Sequence, residues 1–580
     1  MIKAENLSYG FPDKDLYHNI SFTLSDGDHC ALIGSNGTGK TTLADMICYP
    51  DKYLFDGNLL CDGVGRIGFV SQFAARDKDQ SITVFDYLSG DFLTLQHQID
   101  TVCAEMGETD DLDALLEHYQ HLLDESEAMD ADNYEVNIRR QLHLAQLDEK
   151  ADLELSKLSG GEYKLVQIIR QMLCRPGLLI MDEPDVFLDF ENLNGLRDLI
   201  NAYVGTLLVI THSRYLLAHC FDRIFHLENC DLQEFDGSFN EYNFALLKKK
   251  VELMEASAAG LAEIQRATEM VERLRKEATE VIDPLRGRTL KQKASYLERV
   301  KSWYIKPPFV EIRQPEINLP EVEPGEDSLP LLQVNDYALS FDEKLLEHVN
   351  FAVKAHEKVA IVGPNGTGKT TLLREIHENK NPAVHFDDSS VVGFFSQLQE
   401  ETLTESNTIY QEFYDIGFEA PTRVEEHLSR YCFDPNTLDR TISCLSGGEK
   451  NLLQLAKLAA SDANILLLDE PSSHLDTYAQ IALEKALSEY NGAFLMVSHD
   501  FYSIVNCADS ILYVENGTIR PMSSRAFRKM IYKHHFSKDY LELELKKKEY
   551  ETKIVRLLEN GNWEDAKPML DELALVIEKM

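Results

Sequence analysis

Short runs of consecutive apolar residues recur along this 580-residue chain, each ending at a polar group. "LLIM" leads into Asp182 and "ILLL" into Asp469. Such runs read as buried strands whose ends present the polar residue. A helical period fills 92–127 instead, with Leu93, Ile99, Val102 and Met106, then Leu112, Leu115, Leu116, Tyr119 and Leu123. Gly107 lies between the two stretches, which predicts a helical hairpin. A longer helical run covers 243–282; at 1.5 Å per residue it would reach about 60 Å. Pro284 and Gly287 end it, a second run follows at 289–303, and six prolines between 306 and 330 exclude a helix there. At the end of the chain, 541–559 and 563–579 flank the turn signal "NGN" and predict a second helical hairpin.

The strand signals occur in two matching series. "ALIGSNGTGKTTL" (31–43) returns as "AIVGPNGTGKTTL" (360–372), "FVSQ" (69–72) as "FFSQ" (394–397), and "LSGGEYKL" (158–165) as "LSGGEKNL" (445–452). "MDEP" and "VITHSR" answer to "LDEP" and "MVSHDF". The signature serine precedes the glutamate of the DE pair by 24 residues in both copies, and that glutamate precedes a histidine by 29 in both. Two identical spacings across five ordered motifs establish a duplication.

Each motif suits phosphate chemistry. G-x-x-x-x-G-K-T after an apolar strand is a phosphate loop, whose glycines let backbone N–H groups surround phosphate oxygens at a helix N-terminus. Gly34, Ser35, Asn36, Gly37, Thr38, Gly39, Lys40, Thr41 and Thr42 form the first loop, and Gly363, Pro364, Asn365, Gly366, Thr367, Gly368, Lys369, Thr370 and Thr371 the second. Lys40 and Lys369 would reach the β- and γ-phosphates, Thr41 and Thr370 would ligate Mg²⁺, and Asp182 and Asp469 would face the metal shell. Glu183 and Glu470 are placed to polarise the attacking water, and His212 and His499 to contact the γ-phosphate.

Walker A, Q-loop, "LSGGE", Walker B with glutamate, and switch histidine together resemble an ATP-binding cassette (ABC) ATPase, written twice. The resemblance implies an α/β fold: two P-loop ABC ATPase cassettes, each a RecA-like α/β core with antiparallel β and helical subdomains. A long α-helical hairpin linker would join them, with a C-terminal helical hairpin after the second. It implies a head-to-tail monomer with two composite sites and ATP and Mg²⁺ as cofactors. Site one would join Lys40, Gln72, Glu183 and His212 to Ser446, Gly447 and Gly448. Site two would join Lys369, Gln397, Glu470 and His499 to Ser159, Gly160 and Gly161. Gln72 and Gln397 would also reach the metal, and Phe11 and Phe341 match the adenine-stacking aromatic. The expected domains are 1–242 (cassette one, with an arm insertion at about 92–135), 243–328 (linker), 329–534 (cassette two) and 535–580 (C-terminal hairpin).

Charge adds a contrast. The chain holds 57 Lys and Arg against 98 Asp and Glu, a net charge of −41, so it should be repelled from RNA overall. Residues 79–138 contain sixteen acidic residues and no Lys or Arg. This reads either as a solvated acidic lobe or as a surface for a basic protein. Residues 248–301 invert the sign, with thirteen cations against nine carboxylates, and Arg286, Arg288, Lys291 and Lys293 cluster at the turn. Those four cations read either as RNA contacts or as solvated charges on a helical hairpin.

Tandem cassettes, an insertion in the first, a long helical linker and "DEPSSHLD" (469–476) together resemble the ABC-F subfamily. That resemblance implies a cytoplasmic ATPase of the ribosomal E site. Its linker would approach rRNA and P-site tRNA, and its arm a ribosomal protein. It would act as a translation factor or in antibiotic-resistance ribosomal protection. "DEPDVFLD" (182–189) departs from the subfamily pattern at Asp185, Val186 and Phe187, and "THSR" departs at 211–214, which puts hydrolysis at site one in doubt. An alternative is the ATPase subunit of a membrane transporter, which would have no use for a basic projecting linker. DNA-repair ATPases need zinc cysteines or far longer coiled coils, so no DNA partner is expected. The ten scattered cysteines contain no C-x-x-C pair and suit a reducing compartment.

Overall fold

The computed structural model describes the chain except residues 12–13, 62–64, 73–80, 107–111, 187, 281–313, 323–329, 341–343, 536–537 and 580. Phe341, the four cations Arg286, Arg288, Lys291 and Lys293, and the helical run expected at 289–303 lie outside the described residues.

The strands of the first cassette are β1 (Ile2–Phe11), β2 (Lys14–Leu24), β3 (His29–Ile33), β4 (Asp56–Cys61), β5 (Ile67–Val70), β6 (Leu178–Asp182), β7 (Thr206–Ile210), β8 (Arg223–Glu228) and β9 (Asp231–Asp236). Those of the second are β10 (Pro330–Ser340), β11 (Lys344–Lys354), β12 (Lys358–Val362), β13 (Val384–Phe386), β14 (Val392–Phe395), β15 (Ile465–Asp469), β16 (Ala493–Val497), β17 (Ser510–Glu515) and β18 (Thr518–Ser523). The first set forms a six-stranded sheet in the order β5-β6-β7-β3-β8-β9 and a three-stranded sheet β2-β1-β4; the second repeats both as β14-β15-β16-β12-β17-β18 and β11-β10-β13. Within each large sheet all pairs are parallel except the last. Every residue of β6, β7, β15 and β16 is buried, as strands covered on both faces require. Parallel order brings the carboxyl ends of β5, β6, β7 and β3 side by side, which is where a doubly wound sheet binds its ligand.

The arm differs from its sequence pattern. Its first helix spans Val84–Glu105 and starts where the Thr83 side chain accepts from the Asp86 N–H, eight residues before the expected boundary. Phe92 and Leu95 are buried, whereas Leu93, placed on the apolar face from spacing, is 54 % exposed. A bidentate ion pair from Arg170 to Asp91 (2.8 and 2.9 Å) turns the helix this way. The second arm helix spans Leu112–Ala128.

The chain divides into two compact units, Met1–Asp236 with Arg313–Ile531, and Gly237–Ile312 with Tyr532–Met580. Both cassettes therefore share one unit, while the C-terminal hairpin shares the other with the linker. In that second unit a 42-residue helix, Phe239–Glu280, meets the hairpin Lys538–Glu559 and Trp563–Ile577. Val251, Ile554, Leu558, Ala566, Leu570 and Leu573 form their shared core, with Phe244, Leu247 and Met254 packed against it. Lys547 Nζ donates to Asn240 Oδ1 (2.5 Å), and Lys567 pairs with Glu255 (2.5 Å). The hairpin thus braces the root of the linker. Leu573→Ala should leave a cavity costing about 2–5 kcal/mol. It is expected to speed tryptic cleavage at Lys248–Lys250 by about tenfold or more; an unchanged cleavage rate would show that the hairpin does not hold the helix.

Candidate active site

The phosphate loops sit at the carboxyl ends of β3 and β12, and the helices Lys40–Cys48 and Lys369–Glu378 start from them. Gly37 and Gly39 have φ of +76° and +98°, and Gly366 and Gly368 +78° and +87°. This left-handed backbone favours glycine and turns successive N–H groups inward. A Cβ on Gly34 would stand 2.1 Å from the Leu227 carbonyl oxygen. Lys40 Nζ donates to the Gly34 and Ser35 carbonyls (both 2.9 Å), and Lys369 Nζ to those of Gly363 and Pro364 (2.8 and 2.7 Å). Ser35 donates twice to Glu228, through N–H and Oγ (2.9 and 2.8 Å). Phe11 is about half exposed, edge-on to Tyr9 at 5.6 Å. Its strand partner Lys14 donates to the Gly37 carbonyl (2.8 Å), so the ring stands near the first loop.

Asp182 and Asp469 end β6 and β15. Glu183 and Glu470 follow with φ of +44° and +48°, a strained turn that lifts each carboxylate out of line with its strand. The Glu183 N–H donates to the Ile210 carbonyl (2.8 Å), and that of Glu470 to Val497 (2.9 Å), so each histidine loop is tied to its glutamate. The His499 N–H also donates to Glu470 Oε2 (3.2 Å). A cavity of about 660 Å³ along the interface is lined by Lys369, Thr370, Thr371, Gln397, Glu470 and His499. Ser159, Gly160 and Gly161 of the opposite cassette line it too, together with Glu183 and His212. His212 Nε2 and Glu470 Oε1 are buried there without a hydrogen-bond partner among the described residues.

The cassettes interlock reciprocally. The Asn36 N–H donates to Asp476 Oδ2 and the Asn365 N–H to Asp189 Oδ2, both at 3.0 Å. Each aspartate uses its other oxygen to cap its own helix, Asp189 from the Asn192 N–H (3.0 Å) and Asp476 from the Ala479 N–H (2.9 Å). Asn36 Nδ2 also donates to the His474 carbonyl (2.9 Å). A Cβ on Gly448 would lie 2.0 Å from that amide, so the signature glycine permits the approach. Ser446 and Ser159 cap their helices and bond to Glu449 and Glu162.

Aspartates 189 and 476 and His474 were not among the residues singled out from sequence, although all lie in quoted motifs. Gln72 Nε2 donates to Glu183 Oε2 (2.5 Å) and meets His474 Nδ1 at 3.1 Å, so a second-cassette residue adjoins site one. The stretch after each DE pair therefore reaches the opposite site. The departure "DEPDVFLD" bears on site two through Asp189, whereas the Asp185 carboxylate stays in its own cassette and accepts from Thr211 Oγ1 (2.6 Å).

Electrostatics separate the two glutamates. Burial and the neighbouring Asp469 push Glu470 up to about 8. Burial acts on Glu183 as well, but the His474 hydrogen bond, with the charges of His474 and Lys40, holds it below the usual carboxylate value. Burial lowers Lys40 and Lys369, and lowers His212 to about 4 and His499 to about 3, so both imidazoles are neutral at pH 7. Burial pushes Asp182 and Asp469 up to about 6. The Thr370 hydroxyl donates to Asp469 (3.0 Å), and that of Thr41 bonds to Asp182. Two hard-oxygen pairs of this kind, each a buried aspartate with a more accessible threonine, fit Mg²⁺, which takes one or two carboxylates plus phosphate oxygens rather than an all-protein cage.

The ratio kcat/KM reports groups of the free enzyme. If Glu470 takes the proton of the attacking water, kcat/KM at site two, measured with Glu183→Gln in place at site one, should climb from pH 7 to 9. With Glu470→Gln, site one should stay nearly flat across that range. Superimposable profiles would contradict this difference.

The model of the family described as ABC transporter matches residues 17–186 and 346–473. An uncharacterized ABC transporter ATP-binding protein, YfmM, of Bacillus subtilis (strain 168) is 29 % identical over 87 % of this chain and 96 % of its own length. ABC transporter F family member 2 of Arabidopsis thaliana is 27 % identical over 89 % of this chain and 76 % of its own. The energy-dependent translational throttle protein EttA of Escherichia coli (strain K12) is 27 % identical over 88 % and 91 %. Among solved structures, the complex of archaeal ribosomal stalk protein aP1 with the ribosome recycling factor aABCE1 superimposes with a TM-score of 0.53 at 18 % identity, covering 92 % of each chain. Both cassettes, their order and these relatives agree: the chain belongs to the ABC transporter family, as a two-cassette ATPase of the ABC-F type.

Proposed function

We propose that this chain is a cytoplasmic translation factor whose cassettes close on two ATP molecules, bind the ribosomal E site while closed, and leave it on hydrolysis. The reciprocal interlock of Asn36 with Asp476 and Asn365 with Asp189 carries the reading, because a contact made only between paired cassettes is what a nucleotide-gated switch requires. A relative named for energy-dependent translational throttling supports the ribosome as partner. So does the change of charge sign in the linker. Among the described residues no helix is long and apolar enough to cross a membrane.

At each site the lysine and loop N–H groups would hold the β- and γ-phosphates, and the signature helix of the opposite cassette would close over the γ-phosphate. Glu183 and Glu470 would each orient a water and take its proton, while the neutral histidine donates to a γ-phosphate oxygen. Thr41 and Asp182 at one site, and Thr370 and Asp469 at the other, with Gln72 or Gln397 adjoining, would hold Mg²⁺, which would neutralise phosphate charge. The linker, through Arg286, Arg288, Lys291 and Lys293, would contact rRNA and P-site tRNA, and the acidic arm a basic ribosomal protein. Displacement of a peptidyl-transferase drug would place the factor among ribosomal protection proteins.

The test is co-sedimentation with 70S ribosomes of a Glu183→Gln, Glu470→Gln double variant. ATP-dependent pelleting is expected, weakened about tenfold or more when the four linker cations become Ala, since four phosphate contacts are lost. Absence of pelleting with any nucleotide would overturn the reading.

A further inference from the structure

We propose that Arg214 is a positioning residue that couples the two ATP sites by tying their histidine loops together across the cassette interface. The inference rests on the two-site reading and concerns how one site informs the other.

Arg214 stands two residues after His212, but its guanidinium binds the second cassette. Nη2 donates to Glu484 Oε1 and to Asp500 Oδ2 (3.3 Å), and the group lies over the Tyr502 ring, 4.5 Å from its centroid. The Arg214 and Glu484 side chains are only 14 % and 9 % exposed. A shielded pair of this kind responds to displacement far more than a surface ion pair, because separating it leaves a desolvated charge.

The acceptors are fixed to rigid elements. Asp500 directly follows His499; its Oδ1 accepts from the Tyr502 N–H (3.0 Å) and its Oδ2 from Ser503 Oγ (2.6 Å), at the start of the helix Phe501–Cys507. Glu484 lies on the helix Thr477–Glu489 capped by Asp476, and its second oxygen accepts from Asn506 Nδ2 (2.6 Å). The guanidinium therefore joins the loop of His212 to the loop of His499. A shift of either histidine against its γ-phosphate moves an ion pair that the other shares.

The bridge exists on one side only. Two residues after His499 the second copy carries Phe501, which packs near Phe190 (6.2 Å) and Phe527 (6.4 Å). The counterpart of Glu484, eight residues after the capping aspartate, is Arg197, and it stays in its own cassette. It binds Asp198 (2.7 and 2.9 Å) and the Tyr215 hydroxyl (2.6 Å). Arg214 thus carries the cation of a link that the duplication, with Phe501 at the matching position, does not repeat.

A double-mutant cycle on ATP turnover tests this. Glu183→Gln is expected to change turnover at site two by about fivefold or more when Arg214 is present, and by less than about twofold when Arg214→Gln accompanies it. Glu484→Gln should have the same effect as Arg214→Gln, and the two together should add nothing further. Arg214→Phe, which copies the second cassette's residue, serves in place of any variant that fails to fold. Equal effects of Glu183→Gln with and without Arg214 would overturn the coupling. Binding of a non-hydrolysable ATP analogue keeps the two readings apart. Fewer than two analogues per chain would overturn the two-site reading, whereas two per chain with equal effects would overturn only the role of Arg214.

Discussion

Two aspartates, each capping its own helix with one oxygen and holding the opposite phosphate loop with the other, set the terms for the rest of this structure. Asp189 and Asp476 are buried, and each accepts a backbone N–H from both cassettes. A cap contributes about 0.5–2 kcal/mol to its helix, and a hydrogen bond to a charged group about 1.5–3 kcal/mol. Each carboxylate thus links the stability of one cassette to the position of the other. Closure, the composite sites and the approach of Gly448 to Asn36 depend on that shared acceptor.

The duplication gives two similar sites that the interface makes unequal. His474 reaches back to Gln72 and adjoins Glu183 from the second cassette, whereas Glu470 is buried beside Asp469 with His499 as its nearest donor. The same fold therefore gives one glutamate a stabilised charge and the other a suppressed one. The substitution that breaks the repeat at 214 falls on a segment that faces the partner cassette. The sheets beneath remain matched strand for strand.

The strands that lead into the phosphate loops, the DE pairs and the histidines were legible in the sequence because the chemistry fixes residue types at strand ends and covered parallel strands read as unbroken apolar runs; their order in the sheet was not. The contacts that join the cassettes were not. Asn36 and Asp476 are 440 residues apart, and no local period signals a partner at that distance. Asp189 and Asp476 stand at the ends of quoted motifs with no role legible there, and only the folded interface shows that each caps its own helix and holds the opposite loop. The arm was legible as a hairpin, but its facing was not: Leu93 fits the spacing, while the Arg170–Asp91 pair turns Phe92 and Leu95 inward instead. The C-terminal hairpin could equally have packed on the second cassette. Its docking on the linker helix follows from matching apolar faces at Val251, Ile554 and Leu573, distant in sequence.

The central claim, that each cassette's phosphate loop is held by the other's aspartate, is tested most directly by amide hydrogen exchange of the two loops in the ATP-bound chain. Asp476→Ala should speed exchange at 35–38 of the first cassette and leave 365–367 unchanged, and Asp189→Ala should do the reverse. If each substitution disturbs only its own cassette, the aspartates are helix caps and nothing more, and the account of closure is wrong.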